Sequence, residues 1–399
     1  MSDQKRPFER IRVVEAAQMI AGPMAGMVLA EQGADVVKVE MADGVGDRLR
    51  QLGTRRVDTS AAFHGFNRGK RSIAVNTKDR RGREIVQRLG SQADVFIQNF
   101  RPGTAERMGI GEKQLRGENP ELIYVSVSGF GGSGPRAEEK VYDYVIQAMT
   151  GIAALQVDHE GGPTLTRQFV IDKVTALTVS QAVTAALFQR ERGLGGQHLE
   201  VSMLDVGLWF FWPDGMMDRA MQGDDGVTHA PHFSAAYEVR ATTDGFIALV
   251  ITGNRTWPGL CETFNPAWAD DPRFATFELR EQHSAELSDA FTEAIGAMTT
   301  EECLSRMREH DVPGAAVASL DEVPDIPQIV HNNSLVVHES GPAGLIREAR
   351  PPVGWFGGDR IIAGPAPRLG EHTDEVLGEL GYSMTEVAAF RRAGVLGPE

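Results

Sequence analysis

Cysteine is scarce in this chain of 399 residues, which contains two, Cys261 and Cys303. Two cysteines are too few for a disulfide framework or a cysteine metal cluster, so we expect buried free thiols. Long apolar runs are absent as well, because no uninterrupted stretch approaches the ~20 residues that span a bilayer. The charged N-terminal segment contains no apolar signal-peptide core. These absences predict a cytoplasmic protein that does not associate with membranes.

Excess positive charge is also missing. The formal net charge is −15, from 40 basic and 55 acidic residues, which argues against a broad surface for nucleic acid or membrane. Residues 68–83, RGKRSIAVNTKDRRGR, stand out against this acidic background. Such a run is typical of a solvated helix face, and the alternative is a local site for a polyanionic small molecule.

Two motifs that bind nucleotides do not occur. The first predicted strand–helix turn contains Gly22 and Gly26 without the spacing of G-x-G-x-x-G, so a dinucleotide cradle is incomplete. Glu40 stands where a ribose-binding acid would lie, but one acid after a strand is weak support for NAD. No Walker A motif is present. His229 and His232 have no suitably spaced third ligand, so we predict loop histidines and no metal site.

Strand and helix patterns alternate through the first half of the chain. This alternation predicts an α/β fold with an open, mostly parallel, Rossmann-like sheet, in which ligands bind at the carboxyl ends of the strands. The predicted strands are short apolar runs at residues 11–15, 36–40, 72–75, 94–98 and 122–128, and residues 198–205 are interpreted as a strand followed by the start of a helix. The loops at their carboxyl ends are residues 18–26, 76–78, 99–103 and 129–134.

The length of the chain exceeds what one hydrophobic core usually supports, so we expect two domains. The large α/β domain occupies residues 1–205, and a smaller α/β domain follows at 234–318. Glycine-, proline- and polar-rich segments at 206–233 and 319–350 are interpreted as linkers.

Asp172 lies where a short apolar run passes into a long helical pattern that includes Val179 and Val183. A position near a helix N-terminus predicts that backbone N–H groups and the helix dipole favour the ionised carboxylate. Two interpretations are open from the residues alone. Asp172 is either an N-cap residue or a carboxylate nucleophile.

Several blocks of the chain together resemble the family III CoA-transferases, which include formyl-CoA transferases, carnitine CoA-transferases and the related α-methylacyl-CoA racemases. The matching blocks follow the family's order over nearly the full length: AGPMAGMVLAEQGADVVKVE, FNRGKRSIAV, ADVFIQNFRPGTAERMG, SVSGFGGSGP, KVYDYVIQAMTG, GQHLEVSMLD and LGEHTDEVLGELG. The number, order and spacing of the blocks carry the resemblance, because each block alone is weak.

The resemblance implies that Asp172 is the nucleophile, since the family's aspartate begins the helix that follows the KVYDYV-like block. It implies a CoA-transferase that moves CoA from an acyl-CoA thioester to a carboxylic acid through an aspartyl anhydride and an aspartyl-CoA thioester. Coenzyme A and acyl-CoA are then substrates, and no prosthetic group is expected. The donor and acceptor acids are left open by the sequence.

Matching positions imply a set of CoA-binding residues: Gln18, Ile20, Ala21, Met41, Val75, Lys78, Asn99, Phe100, Arg107, Lys140 and Tyr142. The three cations of this set are of the type that neutralises nucleotide phosphates. Two departures from the family pattern matter. Met41 stands where other members can carry arginine, and residues 251–257 offer only Gly253 where formyl-CoA transferase has a run of glycines. The second departure argues against oxalate and formate as substrates.

Two alternatives to a transferase are a racemase and a non-catalytic CoA-binding protein. The racemases of this superfamily use a histidine in the block where Tyr142 stands here. A phenol that titrates near ~10 is a poor substitute for imidazole, so we prefer the transferase. The resemblance also implies an interlocked homodimer in which residues 351–399 return to the large domain. We expect no nucleic-acid or membrane partner.

Overall fold

The computed structural model describes residues 6–57, 59–157, 161–223, 225–228, 232, 237–251, 254–354, 360 and 362–397. The chain forms two compact units, of which the first comprises Met1–Pro213 and Asn333–Glu399 and the second comprises Asp214–Asn332. The strands are β1 (Arg12–Ala16), β2 (Asp35–Glu40), β3 (Arg55–Arg56), β4 (Thr59–Ser60), β5 (Arg71–Ala74), β6 (Val95–Gln98), β7 (Ile123–Ser128), β8 (His198–Ser202), β9 (Tyr237–Ala241), β10 (Phe246–Val250), β11 (Gly314–Ala316), β12 (Leu335–Glu339) and β13 (Leu345–Ala349). The helices are α1 (Ala21–Glu31), α2 (Ala61–Asn67), α3 (Arg80–Ser91), α4 (Thr104–Arg107), α5 (Glu112–Glu118), α6 (Asp143–Thr150), α7 (Ile152–Leu155), α8 (Val170–Gln189), α9 (Met203–Gly215), α10 (Trp257–Phe264), α11 (Phe277–Gln282), α12 (Ser284–Gly296), α13 (Thr300–Glu309), α14 (Pro327–His331), α15 (Thr373–Glu379) and α16 (Met384–Arg392).

Six strands of the first unit form one sheet in the order β5-β2-β1-β6-β7-β8. Every neighbouring pair in this sheet is parallel. Counted along the chain, the order is the 3-2-1-4-5-6 of doubly wound Rossmann-like folds. The predicted open, mostly parallel α/β sheet is therefore confirmed. Because the strand order reverses between β1 and β6, a ligand crevice is expected at the carboxyl ends of these two strands.

Helices cover both faces of the sheet. Val14 of β1 and Phe96 of β6 pack on the face that α3 and α15 cover. Their neighbours Val13 and Ile97 point to the opposite face and pack with α1 and α8. Strands that are buried on both faces are continuously apolar, which explains why the strand runs were recognisable in the sequence.

The long helix α8 continues into a π-helical turn, Arg190–Leu194, where Gly193 has a φ of 82°. The combined segment Val170–Leu194 has a mean hydropathy of 1.2 and is long and apolar enough to cross a bilayer by composition alone. The sequence expectation counted uninterrupted runs, and Asp172 and Lys173 interrupt this one. Its buried residues, among them Val179 and Val183, pack against α1 and the sheet, so the packing of a core helix accounts for part of its hydropathy.

Strand β5 lies at one edge of the sheet, and the C-terminal segment covers its free side. The His372 N–H donates to the Ser72 carbonyl (2.9 Å), and the Gly397 N–H donates to the Ala74 carbonyl (3.0 Å). An edge strand with its backbone groups bonded in this way cannot pair with another chain.

The second unit contains a three-stranded antiparallel sheet in the order β11-β10-β9. The helices packed against it include α10, α12 and α13, and Cys261 and Cys303 are both buried free thiols there, as predicted. Periodicity missed α13, which begins with a capping box between Thr299 and Glu302. Of the two segments interpreted as linkers, residues 206–215 are helical and residues 335–349 form the β12–β13 hairpin.

Candidate active site

Asp172 lies in the first turn of α8, whose N-cap residue is Phe169. The N-cap interpretation of Asp172 is therefore wrong. The backbone N–H of Ala21, the first residue of α1, instead acts on this carboxylate and lowers its pKa. The N-termini of two helices on the same face of the sheet thus meet at one carboxylate.

A second carboxylate, Asp143, lies beside the first turn of α8. The Asp172 N–H donates to Asp143 Oδ2 (2.9 Å), and Gln147 Nε2 donates to Asp143 Oδ1. Gln147 is held in turn by the Thr166 N–H, which donates to its Oε1 (3.0 Å). Asp143 and Gln147 are both buried. The N-terminus of α6 therefore fixes the backbone at Asp172.

The environment of Asp172 opposes its ionisation. Burial, and after it the negative charge of Asp143, raises the pKa of Asp172 to about 7. The Ala21 N–H lowers this pKa but is outweighed. The expectation that the helix N-terminus would favour the ionised form is wrong, because the cost of removing a carboxylate from water exceeds the gain from one N–H donor.

The loop between β1 and α1 is tied to the loop after β6. Asn99 Oδ1 accepts the Gln18 N–H (3.0 Å), and Asn99 Nδ2 donates to the Gln18 carbonyl (2.8 Å). Both loops lie where the strand order reverses. The structure therefore brings Gln18, Ile20, Ala21 and Asn99 together with Asp172 at the crevice that the fold predicts.

A buried ionic cluster, formed by Glu15, Lys38, Asp47 and Lys70, holds the loop that contains Gln18 in place. Lys38 Nζ donates to Glu15 Oε1 (2.8 Å) and to the Ala17 carbonyl (2.8 Å), and it lies 3.0 Å from Asp47 Oδ2. Asp47 Oδ1 accepts the N–H of Met19 (3.2 Å), whose φ is 67°. Because this conformation is unfavourable for a non-glycine residue, the surrounding bonds hold the loop in its turn.

Lys70 completes this cluster. Its Nζ donates to Glu15 Oε2 (2.6 Å) and to the Pro23 carbonyl in the first turn of α1 (2.7 Å). Burial lowers the pKa of Lys70 to about 8. Burial would raise the pKa of Glu15, but the charges of Lys38 and Lys70 outweigh it and the pKa is lowered. The lysine charges therefore keep Glu15 ionised beneath the site.

Other matched residues follow the carboxyl ends of β2 and β5. Thr77 Oγ1 donates to Met41 Sδ (3.3 Å), which joins these two loops. Val75 is fully buried, so it offers only backbone atoms to a ligand. Lys78 is exposed, and Arg83 Nη1 donates to its carbonyl (3.0 Å).

The remaining matched residues are more dispersed. Phe100 packs partly against the core, and Ile20 is buried. Arg107 is exposed and donates through Nη2 to Thr104 Oγ1 (2.9 Å). Lys140 is exposed, and Tyr142 at the N-cap of α6 stacks on Tyr144 with 54% of its own surface exposed. The exposed side chains of Arg107, Lys140 and Tyr142 are accessible to a ligand.

The basic segment 68–83 is not uniformly a solvated helix face. Arg68 pairs with Glu31 and Glu348, and Arg71 pairs with Asp35 and Glu379. These cations stabilise the fold, so within the segment the polyanion-site interpretation is confined to later residues such as Lys78.

The residues considered for nucleotide and metal binding have other partners or lie outside the described chain. Glu40 binds Arg50 through both carboxylate oxygens and also accepts from Ser72 Oγ, so it is not free for a ribose. Among the described residues, no group of three or more His, Cys, Asp or Glu side chains is arranged to hold a metal ion. His229 and Gly253 lie outside the described residues.

Sequence reasoning did not assign roles to Asp143, Gln147 or Asp47. Asp143 was visible beside Tyr142 in the KVYDYV block, but no local pattern indicated that its carboxylate reaches the Asp172 amide. Asp47 follows a glycine-containing turn and resembles an ordinary N-cap residue in the sequence.

Known proteins resemble this chain over nearly its whole length. A model of CoA-transferase family III matches residues 8–373. The succinate–glutarate CoA-transferase of Agrobacterium fabrum is 34% identical over 392 residues, which cover 95% of this chain and 97% of that protein. The succinyl-CoA:glutarate CoA-transferase of Mus musculus is 30% identical over 398 residues, which cover 99% and 91%.

Solved structures agree with this assignment. The crystal structure of a CAIB/BAIF family protein from Brucella suis has a TM-score of 0.81 and 30% identity, and covers 94% of this chain and 100% of that chain. The structure of Rv3272 from Mycobacterium tuberculosis has a TM-score of 0.80 and 30% identity, and covers 92% and 98%. The family predicted from the sequence blocks is confirmed: the chain belongs to CoA-transferase family III and is a CoA-transferase.

Proposed function

We propose that Asp172 is the nucleophile that carries CoA from an acyl-CoA to an acceptor acid. The observation that supports this role best is that the Asp172 carboxylate lies near the Ala21 N–H, at the point where the strand order of the sheet reverses. A carboxylate with a pKa near 7 is more basic than an ordinary aspartate, is about half ionised at neutral pH and is largely ionised at mildly alkaline pH. The site therefore combines nucleophile strength with availability.

The proposed reaction has two stages. Asp172 Oδ attacks the thioester carbonyl, the C–S bond breaks, and CoA leaves as a thiolate from a mixed anhydride. The thiolate attacks the aspartyl carbonyl, the donor acid leaves as a carboxylate, and an aspartyl-CoA thioester remains. The acceptor carboxylate then attacks this thioester, and the released thiolate attacks the acceptor carbonyl of the new anhydride. These steps give the product acyl-CoA and regenerate the Asp172 carboxylate.

The Ala21 N–H is suited to assist the attack of the thiolate on the aspartyl carbonyl. It is close enough to the Asp172 carboxylate to lower the pKa of that group, and an oxyanion develops at a carboxylate oxygen when the aspartyl carbonyl becomes tetrahedral. The positive end of the α1 dipole acts in the same direction. Because Asn99 and Asp47 fix the preceding residues, this donor needs no reorganisation during the reaction.

The exposed cations near the strand ends are proposed to bind the charged part of CoA. Three cations, Lys78, Arg107 and Lys140, are exposed. They lie in the segments that follow the carboxyl ends of β5, β6 and β7. Arg107 and the lysines would neutralise phosphate groups. The buried Ile20 and Val75 are proposed to contribute through backbone groups.

We propose succinyl-CoA as the donor and a short dicarboxylic acid such as glutarate as the acceptor. The support is that two relatives covering nearly the whole chain carry names with these acids. To test this, the protein is incubated with succinyl-CoA and treated with hydroxylamine, and a hydroxamate is expected on the one peptide that contains Asp172. Acceptor acids are then compared by the acyl-CoA formed. Absence of the Asp172 adduct with a panel of acyl-CoA donors contradicts the proposal.

A racemase is the second candidate function. The groups that act on the pKa of Asp172 in the described residues are Asp143 and the Ala21 N–H, and a histidine is not among them. Tyr142 occupies the corresponding block with an exposed side chain. A racemase would exchange the α-hydrogen of a branched acyl-CoA in deuterated water without forming a hydroxamate, so the two functions are separable in one assay.

The rate of transfer is expected to rise with pH through about 7. Since burial and Asp143 raise the pKa of Asp172 to about 7, the nucleophile is protonated below this pH and ionised above it. A plot of log kcat/KM against pH should rise with a slope of one and level off above about pH 8. A profile already level at about pH 5 would contradict the assignment, because an unperturbed aspartate is ionised there.

We propose that the protein is a homodimer, interlocked as the resemblance implies. The support is the apolar surface that the first unit leaves exposed on α8 and α9, where Trp209 is 73% and Phe188 is 64% exposed. Large apolar side chains that are exposed to this extent are common in subunit contacts.

The dimer is tested by light scattering after size exclusion. We expect a mass of twice the 43.4 kDa of the chain, and Trp209→Glu should shift the population toward a single chain by placing a charge in the contact. Met384→Glu, at an exposed residue on α16, is the matched control and should leave the mass unchanged. A wild-type protein with the mass of one chain contradicts the dimer.

A further inference from the structure

Asp143 is placed where only a carboxylate satisfies both of its partners. The Asp172 N–H donates to one of its oxygens and Gln147 Nε2 donates to the other. Gln147 cannot offer its oxygen instead, because the Thr166 N–H and hydroxyl both donate to that oxygen. If residue 143 carried an amide, its NH₂ group would face either the Asp172 N–H or the Gln147 NH₂, and two donors cannot form a hydrogen bond with each other. The contacts therefore require an acceptor at both oxygens, and Asp143 is 5% exposed.

The charge of Asp143 acts on Asp172 without a compensating cation among the described residues. Among the described residues, Asp143 is the one charged side chain that contributes to raising the pKa of Asp172. The titratable side chains on the elements packed against α8 are Asp143 and Tyr144 on α6, Glu31 on α1, Tyr124 on β7, His198 and Glu200 on β8, and Arg190, Glu191 and Arg192 on the π-helical turn at the far end of α8. Of these, Tyr124 donates to the Ile110 carbonyl and His198 bonds Ser126. Lys173, the neighbour on α8 itself, is not among the groups that shift the pKa of Asp172.

We propose that Asp143 is a positioning residue that also favours the covalent state of Asp172. Its bond to the Asp172 N–H holds the nucleophile in place. Its charge repels the free Asp172 carboxylate but not the neutral anhydride or thioester. The inference rests on the proposed function, because it says that Asp143 favours the step in which Asp172 becomes covalently attached to CoA.

The effect on loading follows from the charge balance. Loading converts the Asp172 carboxylate and an acyl-CoA into the aspartyl-CoA thioester and a free carboxylate that leaves the site. One negative charge is thereby removed from beside Asp143. The repulsion that disfavours ionisation of Asp172 therefore favours loading by the same factor whenever Asp172 starts ionised.

The test compares Asp143→Asn and Asp143→Ser with wild type, using succinyl-CoA as the probe and intact mass to measure the loaded fraction. At about pH 8.5 we expect the loading equilibrium constant to fall about tenfold, and the pH midpoint of transfer to fall by about one unit. Below about pH 6 the loading difference should shrink, because Asp172 is then protonated in wild type. Serine keeps an acceptor for the Asp172 N–H if asparagine disturbs folding, which circular dichroism monitors. Glu118→Gln, which neutralises an exposed acid of α5, should behave as wild type.

The outcomes separate this inference from the proposed function. If wild type forms no adduct at Asp172 with succinyl-CoA or any other donor of the panel, the proposed function itself fails. If wild type loads but the Asp143 variants load equally and keep the same pH midpoint, Asp143 does not act through its charge and the inference is overturned. A purely structural role would lower the rate without moving either the loaded fraction at equilibrium or the midpoint.

Discussion

Replacing Asp172 by Asn is expected to lower kcat by about 10³-fold or more, because the amide removes the nucleophile while keeping the size of the side chain. The hydroxamate and the aspartyl-CoA adduct should both disappear from the mass spectrum. Binding of CoA itself should persist, since the loops that contain Gln18 and Lys78 are unchanged. An Asp172→Asn protein with wild-type transfer would rule out covalent catalysis by this residue.

The same substitution is expected to stabilise the fold at alkaline pH. Asp172 has a pKa of about 7 in the folded protein against 3.8 for an ordinary aspartate, so the folded state binds its proton more tightly than the unfolded state does. Its contribution to stability is present below about pH 4 and is lost as the pH rises through about 7. Urea unfolding at about pH 8.5 should therefore show a higher midpoint for Asp172→Asn than for wild type, with the difference vanishing near about pH 4. Equal midpoints at alkaline pH would show that the site does not resist ionisation.

Replacing Lys38 by Met is expected to lower the free energy of unfolding by about 3–5 kcal/mol. Lys38 is fully buried and touches Glu15, Asp47 and the Ala17 carbonyl, so its removal leaves Asp47 without a cation and Glu15 with Lys70 alone. Breaking a buried ion pair costs far more than breaking an exposed one, because the remaining charge stays desolvated. Chemical denaturation measures the loss.

The control for this variant is Lys113→Met, which removes an exposed lysine of α5 and should leave the unfolding midpoint unchanged. Transfer activity is expected to fall with Lys38→Met even where the protein remains folded. The reason is that the Ala17 carbonyl loses its bond to Lys38, and Asp47, which accepts the Met19 N–H, loses its ion pair, so the loop before Ala21 is held less firmly. A folded Lys38→Met protein with full activity would show that the cluster serves stability alone.

The parallel sheet was predictable because its strands are buried on both faces and therefore read as short apolar runs. The second unit was predictable as a smaller α/β domain, whereas its helix α13 was not recognisable. That helix depends on a capping box and a narrow apolar stripe around Cys303 and Met307, while most of its residues are charged or polar. Short amphipathic helices of this kind have a weak periodic signal.

The position of Asp172 at a helix N-terminus could be read from the sequence, whereas its protonation could not. The start of a helix stabilises an ionised carboxylate, and this is the one effect that is visible in the sequence. The opposing effects come from burial and from Asp143 on another helix, which become visible only when α6, α1 and α8 are packed together. Similarly, Glu40 and Arg68 were recognisable as charged residues, but nothing local in the sequence indicated that Glu40 pairs with Arg50 or that Arg68 pairs with the distant Glu348.

The cover over β5 also bears on how the protein is made. The backbone groups of Ser72 and Ala74 are bonded by residues 372 and 397, which the ribosome adds only after the entire second unit. A nascent chain therefore carries an open, apolar sheet edge, with Ile73 at its centre, through most of its synthesis. Such an edge templates aggregation, so chaperones that shield strands during translation are expected to matter more for this protein than for one whose sheet closes early.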